Sequence, residues 1–457
     1  MGDSHRRHDC GRVDRRQSEK SPKTISHEPV RPICVCAVFW AVFTATVPAR
    51  TEPALSAQED APEQLAPLRP GEYPNYLFKP PFPPPTSEES QEFREKYLFG
   101  DWLGARSELA KLGIEPAILF IIDPFGNVTG GRQRGFTQYN LLALDVTVET
   151  DKLLGWPGGQ FHVGYATDSG IHLSTTYVGN NFPIQLPAAG APSSSRLTYL
   201  SYTQSLFDEI LSIRLGRLTI NSVYGEEFLA SEYFKAFTSV GFNLVPQDPA
   251  LKTPNNHGVD FSLKGPPFVI GEFGFRPNYG KEDMGLPTNL KFGAYFNGGT
   301  FEPFDSSLAG GLAAKTESGN SGLYVLGDQA ILRWGDPEEN RHLGIFAAFN
   351  WAPDQRVNKV PYFVDAGLLA YGVLPSRPRD YAGFGVVYGS YSDDLRRAVT
   401  SPSVAVQDYE MTLELTYGCA VMPGLLLQPD LQYIINPGGN RAIPNALAIG
   451  VNVVVNF

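Results

Sequence analysis

The sequence predicts an all-β fold, a closed antiparallel β-barrel of about 14 strands (14 to 16) that crosses a membrane, with a short N-terminal helix and a Pro-rich N-terminal segment. Three observations predict it. From Ile114 onward the chain alternates apolar and polar residues with period two. The alternating stretches run to about 10 to 13 residues, the length a tilted strand needs to cross an outer membrane and longer than most sandwich strands. Aromatic residues such as Trp334, Trp351, Tyr433 and Phe457 fall toward the ends of these stretches, where an interfacial girdle would need them.

The 457 residues carry 46 Gly, 21 Tyr and 29 Phe with only 19% charged residues, a palette of strands and turns. The chain opens with a polar leader and then an apolar run, "ICVCAVFWAVFTATV" (33–47), preceded by Arg31 and followed by the small-residue sites "VPA" and "LSA". The run is too short for a membrane helix and is read as a secretory signal cleaved after Ala57. The leader ahead of it is too long and polar for such a signal, so translation is expected to start near Val30. Residues 1–57 hold nine of the 37 basic and six of the 48 acidic side chains, so their removal makes the chain more acidic than its formal −11. An acidic balance argues against a nucleic-acid partner. Three of the four cysteines also lie in the leader and signal, leaving Cys419 alone and excluding an internal disulfide.

Residues 58–96 are rich in Pro and polar residues and read as an extended linker. Residues 97–457 form the predicted barrel unit. A helix is expected at about 105–112, with Gly113 as its stop signal. Strands are then expected to start near Ile114, Asn140, Gly159, Leu197, Leu211, Pro267, Thr288, Gly322, His342, Tyr362, Asp380, Tyr409, Leu425 and Asn445. In "YEMTLELTYGCAVM", Met411, Leu413, Leu415, Tyr417 and Val421 oppose Thr412, Glu414, Thr416 and Gly418. In "NLKFGAYFNGG", Leu290, Phe292 and Phe296 oppose Lys291, Tyr295 and Asn297. The parity of "GLYVLGDQAILRW" fails at Asp328, and a bulge near Gly327 would restore it. Residues 222–266 are too irregular to assign: they read as a loop folded into the lumen or one more hairpin. The final stretch, "PNALAIGVNVVVNF", alternates to its last residue. A closing strand does so when its backbone must pair with the first strand for want of water in the bilayer core.

Several segments resemble the OprB-type carbohydrate-selective porins. They are "YLFGDWLGARSELAKLGI" (97–114), "NVTGGRQRG" (127–135), "DKLLGWPGGQFHV" (151–163), "LSIRLGRL" (211–218), "YFVDAGLLAYGVLPSRPRDYAGFGVVYGSYSDDLR" (362–396) and the stretch from "YEMTLELTYG" to Phe457. They come in the family's order over 97–457. The resemblance implies a bacterial outer-membrane barrel through which sugars and similar small neutral solutes diffuse without energy coupling. It also implies outer-membrane lipid as surroundings, and recognition of the C-terminal strand ending in Phe457 by the outer-membrane insertion machinery. The family is sixteen-stranded, and this chain is short by roughly one hairpin between "LSIRLGRL" and "HGVDF".

If the apolar parity faces lipid, the other parity lines the lumen. The candidate pore-lining and solute-contacting residues are Arg214, Glu272, Arg276, Lys291, Arg333, Asp365, Glu414, Gln428 and Asp430, with Asp145, Glu149, His162, Asn297, Gln432 and Asn452 on the same faces. Both signs of charge at a narrow point orient water and solute, and amides match sugar hydroxyls. The plain alternative is that these groups only solvate the wall and pair across strands. A structural anchor with a closed lumen is the competing function. No HExxH, GxSxG, Walker loop or GxGxxG stands in the sequence, so no catalytic residue, metal or cofactor is expected. His162 reads as a lumen residue and His172 as a loop residue. Intact-mass analysis of the protein purified from outer membranes is expected to give a chain beginning at Gln58, and peptides from residues 1–29 found in the uncleaved precursor would contradict a start near Val30.

Overall fold

The computed structural model describes residues 44–45, 89–185, 195–207, 211–217, 266, 268–275, 277–278, 285–305, 316–335, 341–398 and 406–457. The leader and signal apart from Thr44–Ala45, the Pro-rich stretch up to residue 88 and nearly all of 222–266 lie outside them. Among the described residues one antiparallel sheet holds fifteen strands. They are β1 (Thr44–Ala45), β2 (Ile114–Thr129), β3 (Gly135–Glu149), β4 (Gly159–Gly170), β5 (Ser195–Leu206), β6 (Leu211–Arg217), β7 (Phe268–Phe275) and β8 (Thr288–Phe301). The chain continues through β9 (Glu317–Arg333), β10 (His342–Trp351), β11 (Tyr362–Tyr371), β12 (Tyr381–Ser390), β13 (Tyr409–Met422), β14 (Leu425–Ile435) and β15 (Ala446–Asn456). Apart from the two-residue β1, these are the fourteen strands whose starts the alternation predicts, most within one or two residues and β3 and β9 about five residues earlier.

Apart from β6 and β7, each long strand pairs with its neighbours in sequence, and β15 pairs with β2, with Val453 opposite Ile122 and Asn456 opposite Leu119. Pairing of the last strand with the first is what the unbroken alternation of the C-terminal stretch demands. The sheet is not closed, however: its margins are β7 on one side and β6, carrying β1, on the other, and among the described residues no pairing joins them. Closure would run through the segment between β6 and β7, most of which lies outside the described residues. Among the described residues the expected closed cylinder is thus a fourteen-strand sheet with one open seam.

Side-chain placement inverts that of a soluble protein. On β13, Glu410, Thr412, Glu414 and Thr416 are buried while Leu415 and Val421 are exposed. On β8, Lys291, Tyr295 and Asn297 are buried while Phe292 and Phe296 are exposed. Large exposed apolar side chains recur around the sheet, and hydrocarbon is the solvent that makes this favourable. Exposed Trp156 and Phe207 at one end, and Phe136, Trp351, Tyr362 and Tyr433 at the other, provide two aromatic girdles. On the inner face, rings lie flat over glycines of the adjacent strand. A Cβ on Gly293 would meet the Tyr324 ring at 1.9 Å, and one on Gly418 the Tyr381 ring at 2.1 Å. Glycine at these positions lets an aromatic side chain cover a bare backbone.

The parity of β9 is restored elsewhere than expected. Gly344 faces Ala330 and Leu343 faces Leu332, so Ile331 is the extra residue of a bulge. Ahead of that bulge Tyr324, Leu326 and Asp328 share the buried face by plain alternation, and Asp328 accepts a bond from Asn289 Nδ2 at 3.0 Å.

Two short helices precede the sheet. Helix α1 (Glu89–Lys96) occupies the end of the segment expected to be extended, and α2 (Ala105–Lys111) follows it. Gly113, with φ +76°, donates to Ala110 O at 2.8 Å and starts the chain toward β2. A Cβ there would meet Glu149 O at 2.9 Å, so only glycine fits this stop. The pair rests on the end of β15: Leu98 N donates to Asn456 O at 2.8 Å and the Phe99 and Phe457 rings lie 5.4 Å apart. Arg106 is buried with its guanidinium 3.8 Å from the Tyr97 ring and 4.1 Å from the Trp102 ring, and donates to Pro116 O and Phe457 O. Burial lowers its pKa against the opposing pull of Tyr97 and Asp101.

Leu415 is 56% exposed on the outer face of β13. Leu415→Arg is expected to destabilise the protein refolded in lipid vesicles by about 2–4 kcal/mol, and Leu415→Phe to cost little. Equilibrium denaturant unfolding checks this, because the same arginine on a water-facing surface would be close to neutral.

Candidate functional site

The inner face of the sheet concentrates the polar chemistry of the molecule. Across β2, β15, β14 and β13 lie Asp123, Asn452, Gln428, Asp430, Gln432, Glu414 and Thr416, all buried. The pleat fixes this row, since alternate residues of neighbouring strands in register stand side by side. Gln428 faces Asn452 and Glu414 faces Gln432. Gln428 Nε2 donates to Thr416 Oγ1 at 2.8 Å, and Gln432 Nε2 donates to Asp430 Oδ1 at 2.9 Å. Asp365 is buried on β11 of the same wall. Inner-face cations stand toward the margins: Lys291 on β8, and Arg214 on β6, whose Nε donates to Thr203 Oγ1 at 2.8 Å. Arg196 on β5 is ion-paired with Asp168 on β4. His162 is buried on β4, with Nδ1 3.4 Å from Thr147 Oγ1.

A loop runs over this wall. After β4 the chain enters a short π-helix (Ser174–Val178) and continues through Gly179 to Gln185, with Leu173, Val178, Phe182 and Ile184 fully buried. Its fastenings span the inner side from β2 to β11. Gln185 Nε2 donates to Asp123 O at 2.6 Å on β2, and Gln432 Nε2 donates to Ile184 O at 3.0 Å from β14. Glu410, at the start of β13, accepts from Asn181 N at 2.9 and 3.0 Å, from Phe182 N at 2.8 Å and from Gly438 N. The Phe182 ring meets that of Phe363 on β11 edge-on at 5.5 Å. Lys359, from the connection between β10 and β11, donates to Asn181 Oδ1 at 3.2 Å. Burial pushes its ammonium below the ordinary lysine value, opposed by the nearby Glu410 carboxylate.

The family model described as carbohydrate-selective porin, OprB family, matches residues 133–248 and 243–457. The chain belongs to the OprB family of carbohydrate-selective porins. Porin B of Pseudomonas aeruginosa is 25% identical over 425 residues, covering 79% of this chain and 91% of that protein. The putative porin QuiX of Acinetobacter baylyi is 22% identical over 429 residues, covering 79% and 93%. The high-pH structure of Pseudomonas putida OprB superposes with a TM-score of 0.71 at 24% identity, over 81% of this chain and all of that one. Its low-pH counterpart gives 0.51 at 20% identity. The protein is thus an outer-membrane β-barrel porin of a Gram-negative bacterium.

Of the residues predicted to line the porin lumen, Lys291, Asp365, Glu414, Gln428 and Asp430 are buried on the inner face, and Arg214 reaches it through Thr203. Glu272 faces Gly293 in register, but its side chain and all of Arg276 lie outside the described residues. Arg333, at the end of β9 just past the Ile331 bulge, stands opposite buried His342 in register and so has the inner parity, with its side chain exposed at the strand end. Asp145, Glu149, His162, Asn297, Gln432 and Asn452 take inner positions, and the His172 ring lies 4.2 Å from that of Tyr139 in the loop after β4. Sequence reading missed Glu410 and the loop 171–185. The signals were there: Glu410 continues the parity of Thr412, Glu414 and Thr416, and the loop carries Leu173, Val178, Phe182 and Ile184 in a connection that needs no apolar residues to meet water.

Arg214→Ala and Arg333→Ala are each expected to shift the reversal potential toward cation preference, since each removes a cation of the inner parity. Reversal potentials under a salt gradient across planar bilayers check both.

Proposed function

We propose that this porin lets sugars and other small neutral solutes diffuse passively along the inner face of a closed barrel. The observation that carries the reading is the inversion of the sheet: carboxylates, amides, hydroxyls and a few cations on one face, leucine, valine and aromatic residues on the other. A sugar needs donors and acceptors that replace its water, and Gln428, Gln432, Asn452, Asp430 and Glu414 supply both kinds on adjacent strands. Cations on β6 and β8 facing carboxylates on β11, β13 and β14 would set a field across the bore that orients solute dipoles.

Closure belongs to the same proposal. The chain between Arg217 and Phe268 joins the margins, either by bringing β6 against β7 or by adding a hairpin, so that fourteen or sixteen strands complete the cylinder. Because β1 falls within the segment proposed to be cleaved on export, its edge on β6 is free for this pairing in the mature chain. The end holding Phe457 and the two-residue turn between β13 and β14 faces the periplasm, and the C-terminal strand is what the insertion machinery reads.

A second reading, a barrel with a closed lumen that serves as an anchor, draws support from the loop 171–185 lying over the inner wall and from the complete burial of Lys291, Asp365 and Glu414. Swelling of liposomes containing the purified protein separates the two. Monosaccharides are expected to enter, with rates falling steeply along a graded oligosaccharide series. No swelling with any sugar, together with silent planar bilayers, would leave only the anchor.

A further inference from the structure

We infer that Glu410 is the positioning residue that holds the loop 171–185 across the inner wall and thereby sets the size limit of the pore; the inference rests on the channel reading proposed above. Glu410 is fully buried at the start of β13. Its two carboxylate oxygens take backbone N–H groups from two separate segments. Asn181 and Phe182 donate from the loop at 2.8 to 3.0 Å, and Gly438 donates from the connection between β14 and β15. A charged acceptor shared among several backbone donors makes stronger bonds than neutral pairs, and in a buried site it cannot be replaced by water.

The two segments also touch at Gly438. A Cβ there would meet Gly179 O at 2.6 Å, and its φ is +66°, so glycine at this point lets the connection close over the loop. Beyond the carboxylate, the neighbouring fastenings are the edge-on Phe182–Phe363 contact, the Lys359 bond to Asn181, and the amides of Gln185 and Gln432. Those amides fix the loop's far end near β2 and β14. The stretch 175–178 is held to the β2–β3 connection, with Arg132 N donating to Val178 O at 3.2 Å and Gln133 N to Tyr177 O at 2.9 Å, and Glu410 grips the next stretch, 181–182, together with Gly438. Loss of the carboxylate strands two loop N–H groups against the wall, and the loop regains them only by moving toward water. The strands, whose ladder does not pass through this side chain, stay in place.

The test uses the full-length protein in liposomes and planar bilayers. Glu410→Ala is expected to raise single-channel conductance about twofold and to admit oligosaccharides that wild type excludes. Glu410→Gln is expected to fall between, because its amide oxygen still accepts while its NH2 faces the loop donors. Each variant is first shown to be folded by its heat-modifiable mobility in detergent gels. Should Glu410→Ala not fold, Asn181→Pro removes a donor from the loop side and carries the same expectation. A Phe182→Cys, Phe363→Cys pair in the Glu410→Ala, Cys419→Ser background, joined by a short thiol crosslinker, is expected to restore the wild-type cutoff. An unchanged cutoff in Glu410→Ala or Asn181→Pro overturns the inference. So does a widened pore that the crosslink does not narrow, since Glu410 would then act as a pore charge. A wild-type protein that passes no sugar is the separate failure of the channel reading.

Discussion

Hydrocarbon offers no partner to a peptide N–H or C=O, and the whole architecture answers that constraint. An antiparallel ladder satisfies both groups of every residue, provided each strand has a neighbour on either side. Pairing of β15 with β2 gives the two ends of the sheet-forming chain such neighbours. The same constraint explains why α1 and α2 pack against the end of β15: Leu98 N takes the carbonyl of Asn456, and Arg106 takes those of Pro116 and Phe457, at the point where the ladder runs out.

Once the backbone is satisfied, the pleat sorts side chains by solvent. Outward positions need only be apolar, and Leu415, Phe292 and Ile345 are interchangeable in that sense. Inward positions must satisfy one another. The Gln432 amide reaches both Asp430 and the loop carbonyl of Ile184, and Glu410 collects donors from two connections. Polar groups that would weaken a soluble core are here the material of the wall, and they hold the loop that lies over it. Aromatic rings pressed onto inner-face glycines, as Tyr324 onto Gly293, fill the wall without standing out from it.

Period-two alternation carried most of the fold. It marks the fourteen long strands and assigns Lys291, Asp365, Glu414, Gln428 and Asp430 to the inner face, because a strand with two different solvents has no freedom to exchange them. Its failures have local causes. One inserted residue, Ile331, reverses parity at the end of β9: Asp328 lies inside with Tyr324 and Leu326 at even positions, while Arg333 comes to stand opposite His342 on the inner side. Helix α1 is illegible in "ESQEFREK" because its support is tertiary: the Phe93 and Tyr97 rings lie 6.0 Å apart and gather around Arg106. The loop 171–185 has no period at all. Its shape comes from side chains distant in sequence, and Glu410 lies more than two hundred residues from the peptide groups it holds.

The central claim is that odd and even positions of each strand meet different solvents. Nitroxide labels placed one at a time along residues 411–421, in protein reconstituted in lipid, measure this through relaxation by dissolved oxygen and by a polar nickel chelate. Oxygen accessibility is expected to peak at 411, 413, 415, 417, 419 and 421, with nickel favoured at the positions between. The opposite phase, or no alternation, would contradict the account.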